Sequence, residues 1–175
     1  SGYFKDYKHQ LNVISKSTAT HSTLVLDNTS NVKFERNKYG HYLVNKNFKI
    51  LKKEIRSEKY YWFIKVSHDS YLKSCGVVHE RQIKYFHDGH KIEGCDKLIK
   101  QKKFKSCSFA IRFHLLPEIN LTKLINKESI LIESKNAGWK FTSKNHKIDI
   151  EKGLYFGVKN KYIENKNIII SGLTS

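Results

Sequence analysis

The chain has 175 residues, long enough for one domain with its own core, and a formal charge of +17. That excess of cations favours an anionic partner, whether nucleic acid, an acidic membrane surface or an acidic polysaccharide. No apolar run approaches the roughly eighteen residues of a membrane-spanning helix. No apolar signal segment opens the sequence, and no C-x-x-C, P-loop or G-x-G-x-x-G occurs, which argues against secretory-leader, zinc-knuckle and phosphate-cradle readings. The cations are mostly Lys; the arginines are Arg36, Arg56, Arg81 and Arg112. A Lys, Asn and Ile excess also fits compositional drift, so part of the charge reads as solvated surface. Met is absent, and the chain reads as a processed or trimmed segment.

In chain order, "STATHSTLVLDNTS" (17–30) is a strand-like run entered by His21. "NKNFKILKKEIRSEK" (45–59) is compatible with a helix or with an exposed strand pair. "YYWFIKVSHD" (60–69) is aromatic and β-branched, as a central strand is. "VVHERQIKYF" (77–86) and "HDGHKIEGCD" (87–96) form a hairpin about Asp88-Gly89, because Gly tolerates the positive φ of a tight turn. "FAIRFHL" (109–115) alternates: Phe109, Ile111, Phe113 and Leu115 face one way, Ala110, Arg112 and His114 the other. Pro117 ends it. Further strands are expected in 129–134, 138–143, 148–157 and 166–172. Many short strands with turn signals predict an all-β, antiparallel β-sandwich as a single domain over 1–175.

The nine histidines are the main chemical resource. His87 and His90 flank the turn and are expected to be exposed. His68 ends its strand; His79 and Arg81 share one face of the next, by the period of two. If the two strands pair, these groups meet either as a binding edge or as hydrogen bonds that pin strand ends. Arg112 is suited to a two-pronged grip on a carboxylate, or to a salt bridge with Glu80 or Glu151. The tryptophans and tyrosines are expected mostly in the core. Cys75, Cys95 and Cys107 are expected as free thiols. His21 is either a ligand or a polar residue bonded across strands.

Taken in order, "STATHSTLVLDNTS", "SHDSYLKSCGVVHERQIKYFHDGHKIEGCDKL" (67–98), "FAIRFHLLP" (109–117), "GWKF" (138–141), "LYFG" (154–157) and "IIISG" (168–172) resemble the C-terminal β-sandwich of heparinase II/III-like proteins over nearly the whole chain. The resemblance implies a truncated C-terminal part of a larger protein, with an N-terminal α/α toroid and the first sandwich strands absent. It implies a polysaccharide lyase that acts by β-elimination on uronate-containing polysaccharide of the heparan sulfate or alginate kind. In such enzymes a neutralising group quenches the carboxylate, a Tyr or His base takes the C5 proton, and a Tyr or His acid protonates the leaving oxygen.

The main acid and base would lie on the toroid, so no catalytic residue is assigned here and the isolated chain is expected to be inactive. His68, His79, Arg81 and Arg112 are expected to bind substrate. His21 of Thr20-His21-Ser22-Thr23 matches a family metal ligand, so zinc is expected in the full-length parent with His21 as one ligand. The expected partners are acidic polysaccharide and the toroid, with no transmembrane segment, in the cell envelope or periplasm of a bacterium. Ser70 and Leu116 depart from the Gly and second His of the family's runs. The alternatives are a non-catalytic carbohydrate-binding or structural envelope module and a basic nucleic-acid-binding domain.

Overall fold

A computed structural model describes residues 2–40, 42–46, 48–125 and 128–174, without side-chain detail for 42–46. Its elements are helix α1 (Gln10–Lys16), strands β1 (Leu24–Leu26), β2 (Val32–Arg36), β3 (Tyr42–Lys46), β4 (Ile50–Ser57) and β5 (Tyr61–His68), then helix α2 (Leu72–Cys75). Strands β6 (Val77–Phe86), β7 (Lys91–Lys100), β8 (Ser108–His114), β9 (Asn120–Lys123), β10 (Ser129–Glu133), β11 (Gly138–Thr142), β12 (Ile148–Tyr155) and β13 (Ile163–Leu173) follow. The named strand pairings are antiparallel, as the all-β expectation required. The chain forms two compact units, Ser1–Asn45 with Cys107–Ser175, and Lys46–Ser106.

The first unit is built on the four-stranded sheet β1-β8-β13-β12. Its registers set Leu24 against Ile111, Ile111 against Ile170 and Ile170 against Ile148. One sheet face therefore carries Leu24, Leu26, Phe109, Ile148, Ile168 and Ile170, all buried. Removing such side chains from water is the main stabilising term of the unit. The sheet β11-β10-β9 contributes fully buried Ile130, and the Phe141 ring meets Phe113 edge-on at 4.9 Å between centroids.

The opposite face of β8, β13 and β12 is polar. It carries Arg112 and His114, then Asn165 and Asn167, then Glu151 and Gly153. A methyl group on Gly153 would overlap the side-chain amides of Asn167 and Asn165. Gly153→Ala is therefore expected to cost about 1–3 kcal/mol by overpacking. Gly94→Ala, where a methyl meets nothing within 4 Å, should stay within about 0.5 kcal/mol of wild type. Paired urea denaturation curves check this.

Helix α1 lies where no apolar periodicity marked it. His9 caps it through Nδ1, which accepts from the Leu11 amide at 3.1 Å. Its inward side is polar: Asn12 and Ser15 are fully buried and bond the Phe4 backbone in both directions.

The second unit is the meander β4-β5-β6-β7. Of the two readings of 45–59, the strand holds: β4 is an edge strand, mostly exposed, that pairs Ile55 with Ile64 of β5. The Asp88-Gly89 hairpin is present, with Gly89 at φ 74° and β7 starting at Lys91 rather than before it. His87 and His90 are exposed. Gly76 ends α2 at φ 73°, and its carbonyl accepts from the amides of Gln101 and Lys102. All three cysteines are free thiols, Cys75 and Cys107 buried and Cys95 exposed.

The aromatic expectation needs correction. Tyr71 is the one buried tyrosine among the described residues, while Tyr60 is 58% and Trp62 38% exposed. The sheets bury aliphatic side chains, and many aromatics sit at strand ends and turns instead.

Candidate functional site

In the first unit the segment around His21 runs along β8. The Arg112 amide donates to the Thr23 carbonyl at 3.2 Å, and the His114 amide donates to Ser22 Oγ at 3.0 Å. Continuing the β1–β8 register past Leu24 and Ile111 sets His21 opposite His114. His21 is exposed, and no hydrogen bond of its imidazole is found among the described residues. Burial lowers the pKa of both His21 and His114, which favours the neutral ring, the form that can ligate a metal or accept a hydrogen bond.

His114 Nε2 lies 3.0 Å from the Ala19 carbonyl, which fixes the proton on that nitrogen. Nδ1 is then an acceptor; it is buried and has no partner among the described residues. Two residues back on the same face, Arg112 Nε donates to Glu151 Oε1 at 2.8 Å. Of the two carboxylates expected as partners, Glu151 is the one bonded. The Arg112 Nη1 group is buried without a partner among the described residues, and so is Asn165 Oδ1. Asn165 is otherwise held by the Leu115 carbonyl at 2.6 Å and by Asn167 Oδ1 at 3.2 Å. One sheet face thus offers one cationic donor and two acceptors that are unmatched. Buried polar atoms of this kind take water or a ligand.

The second unit holds the other predicted residues in a different arrangement. Register pairs His68 with His79 and Arg81 with Asp96. Ser70 Oγ is 2.7 Å from His68 Nδ1, His68 Nε2 is 3.0 Å from His79 Nδ1, and His79 Nε2 is 2.6 Å from Asp96 Oδ1. Arg81 grips the same carboxylate with Nε at 2.7 Å and Nη2 at 2.9 Å. With Asp96 ionised, the protons point one way along the chain, from the Ser70 hydroxyl to the carboxylate. Burial pushes the Asp96 carboxyl up, but the bonds from His79 and Arg81 outweigh it and hold the group below its ordinary value.

The expected meeting of His68, His79 and Arg81 occurs, and the arrangement pins strands. His79 is 1% exposed with both ring nitrogens engaged, so direct contact with a polymer would require the network to open. Asp96 was not among the predicted residues. Its signal was present, because equal counts outward from Asp88-Gly89 reach Arg81 and Asp96. Asn165 and Asn167 carried no motif.

Burial, reinforced by neighbouring His79 and Arg81, lowers the His68 pKa to about 4. An unfolded histidine titrates near 6.5. Between these values the unfolded chain takes up a proton that the folded one refuses. Stability present above about pH 6.5 should therefore fall as pH drops towards 4, by on the order of 2 kcal/mol once partial exposure of the ring is discounted. Urea midpoints measured from pH 7.5 to 4.5 should show this slope, and His68→Gln should flatten it.

Among the described residues, no three His, Cys, Asp or Glu side chains converge on His21. These residues alone do not make a zinc site, which needs about four ligands, usually with three or four from protein.

Comparison with known proteins gives the family and the fold. The family described as "Heparinase II/III-like, C-terminal" matches residues 1–175. The solved heparan sulfate lyase HepC from Pedobacter heparinus, in a mutant form, superposes with a TM-score of 0.69 at 15% identity over 99% of this chain and 24% of that one. The structure described as heparinase III, BT4657 gene product, gives 0.68 at 13% identity, over 98% of this chain and 24% of that one. The fold is thus the β-sandwich of those lyases, and the chain spans about a quarter of their length. No curated protein matches the sequence.

Proposed function

Because the chain belongs to the heparinase II/III-like C-terminal family, we propose that it is the sandwich part of a lyase that cleaves acidic, uronate-containing polysaccharide by β-elimination. The observation that carries this reading is the polar face of β8, β13 and β12. There the unmatched Arg112 Nη1 donor lies on one strand with the unmatched His114 Nδ1 acceptor, next to the exposed His21.

A guanidinium already fixed by Glu151 is suited to a uronate carboxylate, and it holds a charge where one develops at C5 in the transition state. The unmatched acceptors of His114 and Asn165 are buried, so sugar hydroxyls reach them in this proposal once the face opens. In the elimination, a base removes the C5 proton, the C4–oxygen bond breaks as the C4–C5 double bond forms, and an acid protonates the departing oxygen. We assign that acid and base to an N-terminal toroid of the same protein. His68, His79 and Arg81 fix the strands of their own unit through Asp96. The proposed setting is the envelope or periplasm of a bacterium, where such polymers are met.

His21 supplies one zinc ligand in this proposal, and the others come from outside residues 1–175. No step of the elimination is routed through the metal. Metal analysis of the purified full-length protein should find zinc in the wild type and a clear loss in His21→Ala; equal content in both would contradict the assignment. A second reading, a carbohydrate-binding module without catalysis, draws on the same polar face and predicts binding with no unsaturated product.

A further inference from the structure

Strand β7 is an open sheet edge. The sheet of the second unit runs β4-β5-β6-β7, and among the described residues no strand pairs with β7 on its far side. Its residues Lys91–Lys100 pair with β6 without a register shift, and all but Asp96 and Leu98 are exposed. The other edge, β4, is interrupted by a shift between Ile50 and Lys52. A long, regular edge with neither bulge nor Pro offers a row of backbone donors and acceptors to a further strand.

The side chains of β7 select the strand that fits. Two copies of one strand can pair antiparallel about a two-fold axis normal to the sheet, which sets one residue against itself and keeps every side chain on its own face. An axis on Cys95 sets Glu93 against Lys97 of the second copy, and Lys97 against its Glu93, on the face that carries Cys95. On the other face it sets Ile92 against Leu98 and Gly94 against Asp96, whose carboxylate Arg81 and His79 already hold. Lys91 meets Ile99, and no like charges oppose. An axis on Gly94 would oppose Lys91 to Lys97, and an axis on Asp96 would oppose Asp96 to itself. Opposite charges and apolar pairs across strands stabilise, whereas like charges directly opposite destabilise. Within its own sheet Glu93 bonds Lys91 at 2.6 Å and Lys97 stands across from Glu80. Both remain exposed and can take a second neighbour on the open side.

We propose that β7 pairs with β7 of a second copy of this chain, antiparallel and centred on Cys95, joining two four-stranded sheets into one. The partner is a copy because the alternation of charge and apolar residues along β7 complements its own reverse. The charge of +17 on each copy does not prevent the approach, since at 0.15 M salt exposed charges are screened beyond about 8 Å. The pairing is independent of the lyase reading.

The test is sedimentation equilibrium of the purified protein at physiological salt, which is expected to show a monomer–dimer equilibrium in the micromolar range, as suits a small interface. Glu93→Lys and Lys97→Glu are each expected to weaken the dimer about tenfold, because each sets like charges opposite in two places. The double variant, with the charges exchanged, is expected to restore it. Thermal unfolding shows whether each variant is folded. Cys95 reports the centre of the pairing: opposed Cα atoms of antiparallel strands lie about 4.5–5.5 Å apart, within disulfide range. Diamide, which takes up the two thiol protons and two electrons, is expected to link Cys95 to Cys95 of the second copy, and peptide mapping identifies the link. A monomer at every concentration up to about 100 μM would overturn the proposal. So would a dimer that either single reversal leaves within about twofold of wild type, or a double variant as weak as the single ones.

Discussion

Asp96→Ala is expected to destabilise the protein by about 3–5 kcal/mol, the cost of breaking a buried ion pair from one side. The carboxylate is the common terminus of the second unit's polar network. Arg81 reaches it with two donors and His79 with one. Removing it leaves a guanidinium that is only 20% exposed without its counter-charge, next to a buried imidazole without its acceptor. Asp96→Asn keeps one acceptor oxygen but loses the charge, and should fall between wild type and Ala. Urea denaturation of the three proteins checks the order. A loss below about 1 kcal/mol for Asp96→Ala, the value of an exposed pair, would mean that the network is solvated in solution.

Arg112→Gln is expected to lower kcat/KM for an acidic polysaccharide by about 10²–10³-fold, the usual effect of removing one donor aimed at developing charge. The side chain has a second duty, since it also bonds Glu151 across the sheet. Stability must therefore be measured in parallel. Glu151→Gln provides the control: it loosens the guanidinium without removing it, and should raise KM more than it lowers kcat. Equal loss in both variants would assign Arg112 a structural role only.

Most strands were legible because β-branched and aromatic runs bounded by Gly, Asn and Lys clusters mark them directly, whereas β2, β3 and β9 were not expected. The alternation in 109–115 also identified the two faces of β8, and with them the shared face of Arg112 and His114. Helix α1 was not legible, because its buried residues are Asn12 and Ser15 and the signal for a helix is apolar. The expectation of buried aromatics failed for a related reason: residue type predicts burial on average, whereas Trp62 and Tyr60 sit at a hairpin end and stay exposed. The meeting of His68, His79 and Arg81 followed from strand pairing, and its closure by Asp96 required the hairpin register as well. The departure at Ser70 has a structural counterpart, since its hydroxyl sits on His68 Nδ1. Asn165 and Asn167 belong to a polar layer that only three-strand register brings together.

The most direct test is ultraviolet detection of unsaturated uronate products when the full-length protein acts on heparan sulfate, alginate and related acidic polysaccharides. The account predicts product from at least one of them in the wild type and a loss of about 10²-fold or more in Arg112→Gln. Product from none of them, with the polymers still bound, would contradict it and identify the chain as part of a carbohydrate-binding protein.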